Sequence, residues 1–210
     1  MTEWDSILLN ERYSREEPDE IVVSFAELLK KEKRSSHVLD LGCGAGRHLV
    51  YMASQGFEVH GADISETGLK TSRMRLKKKM LEAHMLKCSM NSLPYVDSCF
   101  DAVICLRTIY HQSLRQIQET ISQIHRILKR EGLLLVDFMS KRTFKYGKGI
   151  KVEENTFVEQ EGIERGVPHH FIDEEEIKHL FKSFRILKLE LVEREFDGKL
   201  QSRWVLIAKT

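Results

Sequence analysis

Length and composition indicate an ordinary globular protein. The chain has 210 residues, of which 41% are hydrophobic and 31% charged, with a net charge of +1. This is enough for one domain with a sizeable core. The balanced charge argues against nucleic acid or a membrane surface as partner, and no apolar run reaches the ~20 residues of a membrane-spanning helix.

The ends and the cysteines add expectations about location. The first ten residues lack the layout of a signal peptide. The four cysteines show no zinc-binding spacing. We therefore expect a cytoplasmic protein, present as a monomer or a homodimer, with no membrane partner.

The first predicted element is a helix over residues 19–33. Asp19 is a suitable N-cap, and Phe25 and Leu29 belong to an apolar stripe at helical spacing. The polar residues 1–18 precede it, with Trp4 and Tyr13 as their only aromatic side chains.

A glycine-rich unit follows, and the rest of the chain is organised around it. Residues 38–47 read VLDLGCGAGR, a short apolar run followed by three glycines and then a helical pattern. A helix N-terminus after such a loop favours an anionic ligand group. Asp63 ends a second predicted strand, where an acidic side chain is placed to accept hydrogen bonds from ribose hydroxyls. The pattern predicts a nucleoside-containing cofactor.

The middle of the chain alternates helices with strands, which predicts a parallel sheet with right-handed crossovers. The predicted elements are a helix over 65–82 capped by Ser65, a strand over 84–89, a strand over 100–106, a helix over 114–129 ended by 131–132, and a strand over 133–138. The lysines and arginines of the helix over 65–82 are interpreted as a solvated face.

The last third departs from this alternation. Residues 140–171 predict a long functional loop, often a lid. A helix over 173–182 capped by Asp173 follows, and then two alternating strands, 184–195 and 199–209, flank Asp197-Gly198. That dipeptide between alternating strands predicts a hairpin.

Several of these segments together resemble a known family. The run VLDLGCGAGR with Asp63 resembles the first motif of class I S-adenosylmethionine-dependent methyltransferases, and its G-x-G-x-G spacing differs from the dinucleotide fingerprint G-x-G-x-x-G. Residues 91–106, in which L-P-Y precedes a strand beginning F-D, resemble a later segment of the same family. Segments 155–157 and 166–172 resemble its small-molecule members, including the tellurite-resistance type. The resemblance covers most of residues 35–210 and is most specific in its first third.

The resemblance implies a fold and a domain organisation. The fold is α/β, a doubly wound Rossmann-like, mostly parallel seven-stranded sheet with a C-terminal antiparallel hairpin. We expect one methyltransferase domain over residues 1–210. Its parts would be an N-terminal lid and helix (1–34), a cofactor-binding half (35–139), a substrate loop (140–171), and a C-terminal helix and hairpin (172–210).

The resemblance also implies S-adenosyl-L-methionine as cofactor and assigns residues to it. The glycines would admit its amino-acid end with Asp40 near the ammonium, Asp63 would bind the ribose, and Ile64 would pack on adenine. The family often has an acidic residue after the third strand that binds the adenine amino group, and Ser89 takes its place here. Contacts with adenine are therefore expected from Met90 and Asn91. Leu106 is added because it follows the fourth strand, and Tyr13 because it could cover the site, although Tyr13 also has a surface-packing interpretation. The full set of candidates is Tyr13, Asp40, Gly42, Gly44, Gly46, Asp63, Ile64, Met90, Asn91 and Leu106.

Candidates for the acceptor side come from the crevice beyond the strands. Ligands of open α/β sheets bind outside the carboxyl ends of the strands, so His111 is the first candidate for proton removal, with Tyr110 and His170 as further catalytic candidates. Each histidine also has a structural interpretation. Arg107, Arg142 and His169 are the candidates for substrate binding, with Arg142 suited to an anionic acceptor. No metal site is predicted.

Several functions remain open at this point. The first is methyl transfer to a small-molecule acceptor by in-line displacement, for which a general base is not obligatory. The alternatives are methylation of RNA or protein, a nucleotide-dependent oxidoreductase, and a cofactor-binding subunit without activity of its own. The sequence leaves the acceptor atom open.

Overall fold

A mixed β-sheet forms the centre of the protein. The computed structural model describes residues 2–10, 13, 15–32 and 37–210. Five parallel strands stand in the order β3-β2-β1-β4-β5. The strands are β1 His37–Leu41, β2 Glu58–Asp63, β3 His84–Lys87, β4 Phe100–Cys105, β5 Leu128–Ser140, β6 Ile150–Glu153, β7 Thr156–Val158, β8 Pro168–Ile172, β9 Arg185–Phe196 and β10 Lys199–Lys209.

Helices cover both faces of the sheet, because the central strands are apolar on both sides. The helices are α1 Glu3–Ile7, α2 Glu20–Lys31, α3 Arg47–Ser54, α4 Glu66–Lys78, α5 Leu114–Ile127 and α6 Glu174–Leu180. One core cluster joins the sheet to α5 and α6, and a second joins it to α2, α3 and α4. The doubly wound α/β fold expected from the sequence is confirmed.

The C-terminal hairpin completes the main sheet as predicted. Strand β10 pairs antiparallel with β5, and β9 pairs antiparallel with β10. Asp197 and Gly198 at the turn have φ of 51° and 64°, the left-handed values of a two-residue type I′ turn. Together with β1–β5, these two strands make up the expected seven.

The region predicted as a long loop contains three further strands. Strands β6, β7 and β8 form a small antiparallel sheet, and β8 continues it onto the end of β5 by pairing Phe171 with Met139. The sheet therefore has ten strands rather than seven. These strands are three to five residues long, too short for alternation to distinguish them from a loop.

Several predicted boundaries shift. Helix α5 ends at Ile127 and the chain enters β5 directly at Leu128, which is buried and pairs with Phe100. Glu131 and Gly132, predicted to end the helix, lie inside β5 at a register shift, with Glu131 at φ 60°. Helix α4 stops at Lys78, and α2 stops at Lys31, with residue 33 outside the described residues.

Candidate cofactor and acceptor site

The glycine loop follows β1 and turns into α3. Gly42 and Gly46 have φ of 75° and 82°, which side-chain-bearing residues rarely adopt. A Cβ on Gly42 would lie 2.2 Å from Cγ2 of Thr108, and one on Gly46 would lie 2.3 Å from Oγ of Ser72. The loop is therefore packed against the residues beyond β4 and against α4, and only glycine fits at these two positions.

Asp63 anchors the glycine loop to the second strand. Its Oδ2 accepts a hydrogen bond from the Gly44 amide at 2.7 Å, and its Oδ1 accepts one from the Ser65 amide at 2.8 Å. Burial raises the pKa of Asp63, and these backbone donors partly offset that rise. Each carboxylate oxygen keeps a second acceptor site, so Asp63 can hold the loop and still accept bonds from a ligand.

A cavity of about 1170 Å³ opens at the carboxyl ends of the strands. It exceeds the volume of an ordinary single-ligand pocket, and so has room for a cofactor and a second small molecule. Most of the predicted site residues line it: Tyr13, Gly42, Gly44, Gly46, Asp63, Ile64, Met90, Asn91, Leu106, Arg107, Tyr110, His111 and His169.

Asn91 lines the cavity, but its side-chain amide is not oriented as predicted. Its side-chain amide donates to the backbone oxygen of Gln116 at 2.7 Å and to Oγ1 of Thr120 at 3.0 Å. These bonds turn the amide toward α5. The backbone of Met90 and Asn91 and the side chain of Met90 are therefore what this segment offers to an adenine ring.

Asp40 lies beneath the glycine loop and outside the residues that line the cavity. Its side chain is buried, and its Oδ2 has no hydrogen-bond partner among the described residues. Burial raises the pKa of Asp40 to about 6, although the nearby His48 acts in the opposite direction. The predicted contact with a cofactor ammonium is not supported by this position.

Two predicted acceptor-side residues also lie elsewhere. His170 is fully buried, and its ring bonds Oγ1 of Thr156 at 2.8 Å and Oε1 of Glu176 at 2.9 Å, which joins β7, β8 and α6. Arg142 is largely exposed and pairs with Glu193 at 3.0 Å. Neither lines the cavity, so the structure assigns His170 a structural position and Arg142 a surface ion pair.

Asp19 is a member of the site region that sequence reasoning missed. Instead of capping α2, its carboxylate accepts two hydrogen bonds from Arg47, both at 2.9 Å, and one from Nε of Arg107 at 3.1 Å. Burial raises the pKa of Asp19, but His48 and the two guanidinium groups outweigh it and hold the pKa well below its usual range. The N-terminal segment is thereby clamped to the start of α3 and the end of β4.

Glu164 is the centre of a second missed group. Its Oε1 accepts a hydrogen bond from Tyr13 at 2.7 Å, and its Oε2 lies 2.9 Å from Nζ of Lys145 and 3.1 Å from Nε2 of His169. Burial raises the pKa of Glu164, but the bond to His169 and the charge of Lys145 hold it well below its usual range. The sequence showed Glu164 only as one member of an acidic stretch.

His111 contacts this group from the other side. Its Nε2 lies 3.9 Å from Oε1 of Glu164, and its ring is 4.8 Å from those of Trp4 and His169. Burial lowers the pKa of His111 well below its usual value, and His169 lowers it further. The ring is therefore neutral near pH 7, and its buried Nδ1 has no hydrogen-bond partner among the described residues.

Arg203 forms the floor beside Tyr110. Its Nη1 donates to Oη of Tyr110 at 2.7 Å and to Oδ2 of Asp137 at 3.3 Å. The other oxygen of Asp137 accepts from the backbone amide of Arg107 at 2.6 Å. Burial raises the pKa of Tyr110, so the phenol stays protonated near pH 7. Alternating polar positions in the last strand were the only sequence signal for Arg203.

Two groups of side chains in the described structure have metal-ligand chemistry, where the sequence predicted none. The donor atoms of His111, Glu164 and His169 lie within 4.8 Å of one another, as do those of Glu58, His60 and His84. In the first group, the ammonium of Lys145 is paired with Glu164 and occupies the position where a metal ion would bind. The second lies at the opposite end of the sheet.

The fold and the glycine-loop site define a class of protein. Residues 38–132 match the family model of the methyltransferase domain, and this match confirms the resemblance to methyltransferases that the sequence showed. The match supports the expected enzyme class and, with it, S-adenosyl-L-methionine as the expected cofactor.

Individual relatives match parts of the chain. It is 30% identical over 149 residues to the putative methyltransferase YqeM of Bacillus subtilis, and the aligned region covers 70% of this chain and 53% of that protein. It is 27% identical over 135 residues to the ubiquinone biosynthesis O-methyltransferase of Rickettsia typhi, which covers 64% and 54%. The chain thus spans about half the length of these curated relatives.

A solved structure extends the similarity of fold. TehB from Haemophilus influenzae superposes with a TM-score of 0.72 at 16% identity, over 95% of this chain and 65% of that one. The similarity supports the methyltransferase fold for the last third of the chain, beyond the residues that the family model matches. In the described part of the chain, no helix combines the length and apolar character that crossing a bilayer requires.

Proposed function

We propose that this protein transfers a methyl group from S-adenosyl-L-methionine to a small-molecule acceptor that carries an anionic group. The observation that carries this proposal is the continuity of one cavity, which joins the glycine loop and Asp63 at one end to Tyr110, His111 and Arg203 at the other. A cofactor and an acceptor held in such a cavity meet in a fixed orientation, and alignment of this kind contributes roughly 7–11 kcal/mol to catalysis.

The residues at the cofactor end fit this ligand. Asp63 offers free acceptor sites to ribose hydroxyls, and Ile64, Met90 and Leu106 supply apolar walls for a purine. The glycine loop exposes backbone rather than side chains to the cavity, which suits the amino-acid end. When bound, the cofactor supplies an electrophilic methyl group on a sulfonium, so no further activation of the donor is needed.

His111 is the residue suited to taking a proton from the acceptor. Its ring lines the cavity and is neutral near pH 7. When the ring gains a proton, the Glu164 carboxylate 3.9 Å from Nε2 stabilises the cation. Positioned bases of this kind contribute about 10²–10⁴-fold to a rate. Tyr110, held by Arg203, would position the acceptor rather than remove its proton.

The basic side chains of the β9–β10 hairpin that line the cavity support an anionic acceptor. Register places Arg194 opposite Gln201, and Arg203 two residues along the same face, while Lys199 lies two residues to the other side. All three basic side chains line the cavity. Arg194 bonds the neutral Gln201 at 2.9 Å, and its charge has no carboxylate partner among the described side chains. A carboxylate or phosphate group would supply one.

The N-terminal segment supports a small acceptor rather than a macromolecule. Trp4, Leu8 and Tyr13 line the cavity together with the glycine loop, and the Asp19 clamp holds the segment behind them in place. A cavity roofed in this way admits small molecules more readily than a nucleic acid or a protein chain.

The first test is calorimetric titration with S-adenosylmethionine, S-adenosylhomocysteine and NADH. We expect micromolar binding of both adenosyl ligands and none of NADH. Asp63→Ala should abolish the binding, while Asp97→Ala, which removes an exposed carboxylate from the surface pair with Arg126, should leave it unchanged. Binding of NADH alone, or of none of the three, would overturn the proposal.

The second test separates an enzyme from a cofactor-binding subunit. Formation of S-adenosylhomocysteine is followed with panels of carboxylate-bearing, phosphate-bearing and neutral small molecules, and with total RNA. We expect turnover with anionic small molecules, with a raised KM in Arg194→Gln and an unchanged KM in the matched surface variant Arg185→Gln. Turnover with RNA alone would favour the macromolecular alternative, and cofactor binding without any turnover would favour the non-catalytic one.

A further inference from the structure

A cluster of imidazole and carboxylate side chains lies at the end of the sheet opposite the cavity. His37, Glu58 and His84 are the first residues of β1, β2 and β3, whereas the cavity opens beyond the last residues of β1, β2 and β4. His60 lies two residues into β2. The cluster is therefore separate from the proposed cofactor and acceptor site.

Strand register brings these four side chains to one face of the sheet. His37 is the cross-strand partner of Glu58, and His60 is the cross-strand partner of His84. Glu58 and His60 are two residues apart on one strand and therefore point to the same side. Cross-strand partners also share a face, so the sheet alone determines that these donors are neighbours.

Three of these four side chains have donor atoms close enough to share one ion. Those of Glu58, His60 and His84 lie within 4.8 Å of one another, and Nε2 of His37 lies 3.0 Å from Oε2 of Glu58. The rings of His60 and His84 are 4.5 Å apart. Within the described residues, no protein group is hydrogen-bonded to either of these two rings.

Neighbouring aromatic side chains hold His60 in place. His60 contacts Tyr95 and Phe100 edge to face, with ring centroids 5.7 Å and 5.1 Å away. Phe100 is buried in the core. Ligands carried by paired strands and held by packed rings are more precisely placed than ligands on loops.

We propose that Glu58, His60 and His84, with His37 as a fourth donor, bind a divalent transition-metal ion of the zinc class. Imidazole nitrogens with a single carboxylate are a typical donor set for zinc, which takes four ligands in a tetrahedral arrangement. Imidazole nitrogens also disfavour calcium and magnesium, whose ligands are oxygen atoms. The ion would join the three strands at the edge of the sheet.

The test is titration of the metal-free full-length chain with Zn²⁺ by calorimetry, and with Co²⁺ by visible absorption. We expect one equivalent to bind with micromolar or tighter affinity, with the intense absorption bands of tetrahedral cobalt. In His84→Ala, the affinity should fall by at least about tenfold, the lower end of what loss of even an outer-shell partner produces. His84 is exposed on an edge strand, and His84→Gln repeats the test with a larger side chain.

Two control variants keep this proposal separate from the cavity. His179→Ala removes an exposed histidine from α6, and His111→Ala removes one from the other candidate group. Both should bind zinc as the unmodified protein does, and His84→Ala should bind S-adenosylmethionine normally. Two results would overturn the proposal. One is zinc binding that survives in His84→Ala but is lost in His111→Ala, and the other is zinc binding by the unmodified protein that is no stronger than zinc binding by His84→Ala.

Discussion

The two ends of the cavity were built in different ways. At the cofactor end, the glycine loop, Asp63, Ile64, Met90 and Leu106 lie in chain order between residues 42 and 106, at or within five residues of the ends of β1–β4. At the acceptor end, Trp4, His111, Lys145, Glu164 and Arg203 come from five separate segments. The cofactor end is therefore a local property of the strand–loop–helix pattern, whereas the acceptor end exists only after the fold has formed.

This difference teaches where a sequence motif carries functional information. A backbone-dominated site needs glycines at set spacings, and such spacings are visible in the chain. A site made of side chains from distant segments has no fixed spacing in the sequence by which it could be recognised. His111 and His170 show this, since both were plausible catalytic histidines and only the first lines the cavity.

The largest expected effect separates those two histidines. In His111→Ala, kcat should fall by about 10²–10⁴-fold, the contribution of a positioned base, while the cofactor still binds. In His170→Ala, loss of the buried bonds to Thr156 and Glu176 should lower the free energy of unfolding by about 1–3 kcal/mol and leave kcat nearly unchanged below the melting temperature.

Turnover kinetics and urea unfolding of both variants measure this contrast. A His111 variant with full kcat would remove the proposed base. A His170 variant with normal stability and a large loss of kcat would return His170 to the catalytic candidates.

The next effect concerns the glycine loop. Gly42→Ala should lower the free energy of unfolding by about 2–4 kcal/mol, because left-handed backbone is unfavourable for alanine by about 1–2 kcal/mol and overpacking against Thr108 adds about 1–3 kcal/mol. Cofactor affinity should fall as well, since the loop must shift away from Thr108. Urea unfolding and calorimetry measure the two changes.

Gly56→Ala is the matched control for this substitution. Gly56 has φ of 86°, and a Cβ there would meet no atom within 4 Å. It should show only the backbone part, about 1–2 kcal/mol, with unchanged cofactor affinity. Equal effects of the two substitutions would show that close packing against Thr108 is unimportant.

The smallest expected effect is a pH dependence that originates at Asp40. Burial raises its pKa from 3.8 to about 6 in the folded state, so the folded chain binds this proton more tightly than the unfolded chain. Between these two values stability is therefore lost as the pH rises, and the loss is complete above the folded pKa. A shift of about two pKa units corresponds to about 3 kcal/mol.

Comparison with Asp40→Asn isolates this contribution from those of the other carboxylates. The free energy of unfolding of the unmodified protein, relative to that of the variant, should decrease by up to about 3 kcal/mol between pH 4 and pH 7. Urea unfolding of both proteins at pH 4 and at pH 7 gives the four free energies of unfolding that this comparison requires. A constant difference would mean that Asp40 ionises in the folded chain as it does in water.

Much of the fold could be predicted from the sequence. The alternation of helices and strands, the caps at Ser65 and Asp173, and the turn at Asp197-Gly198 are all found where periodicity and turn chemistry indicate them. The exceptions have physical causes. Strand β5 begins at Leu128 because that side chain is buried against the sheet, although Glu131 and Gly132 carry the local signal for a chain break.

The candidate site could be predicted only in part. Asp19 has the right residue type for a helix cap, and a local pattern cannot show that Arg47 and Arg107 will compete for its carboxylate. Arg142 has the right charge for an anion, but Glu193 on the hairpin neutralises it. In both cases the partner is distant in the chain.

The strand–glycine loop–helix unit and its acidic partner Asp63 could be recognised from the sequence alone, and with them the resemblance to methyltransferases and the expected cofactor. These depend on backbone conformation and hydrogen bonding within neighbouring elements, which residue types at fixed spacings specify directly. Which charged and imidazole side chains meet, both at the acceptor end of the cavity and in the Glu58–His60–His84 cluster, could be seen only in the folded protein. Those meetings depend on strand order and register, which are set by the packing of the whole core rather than by any one stretch of residues.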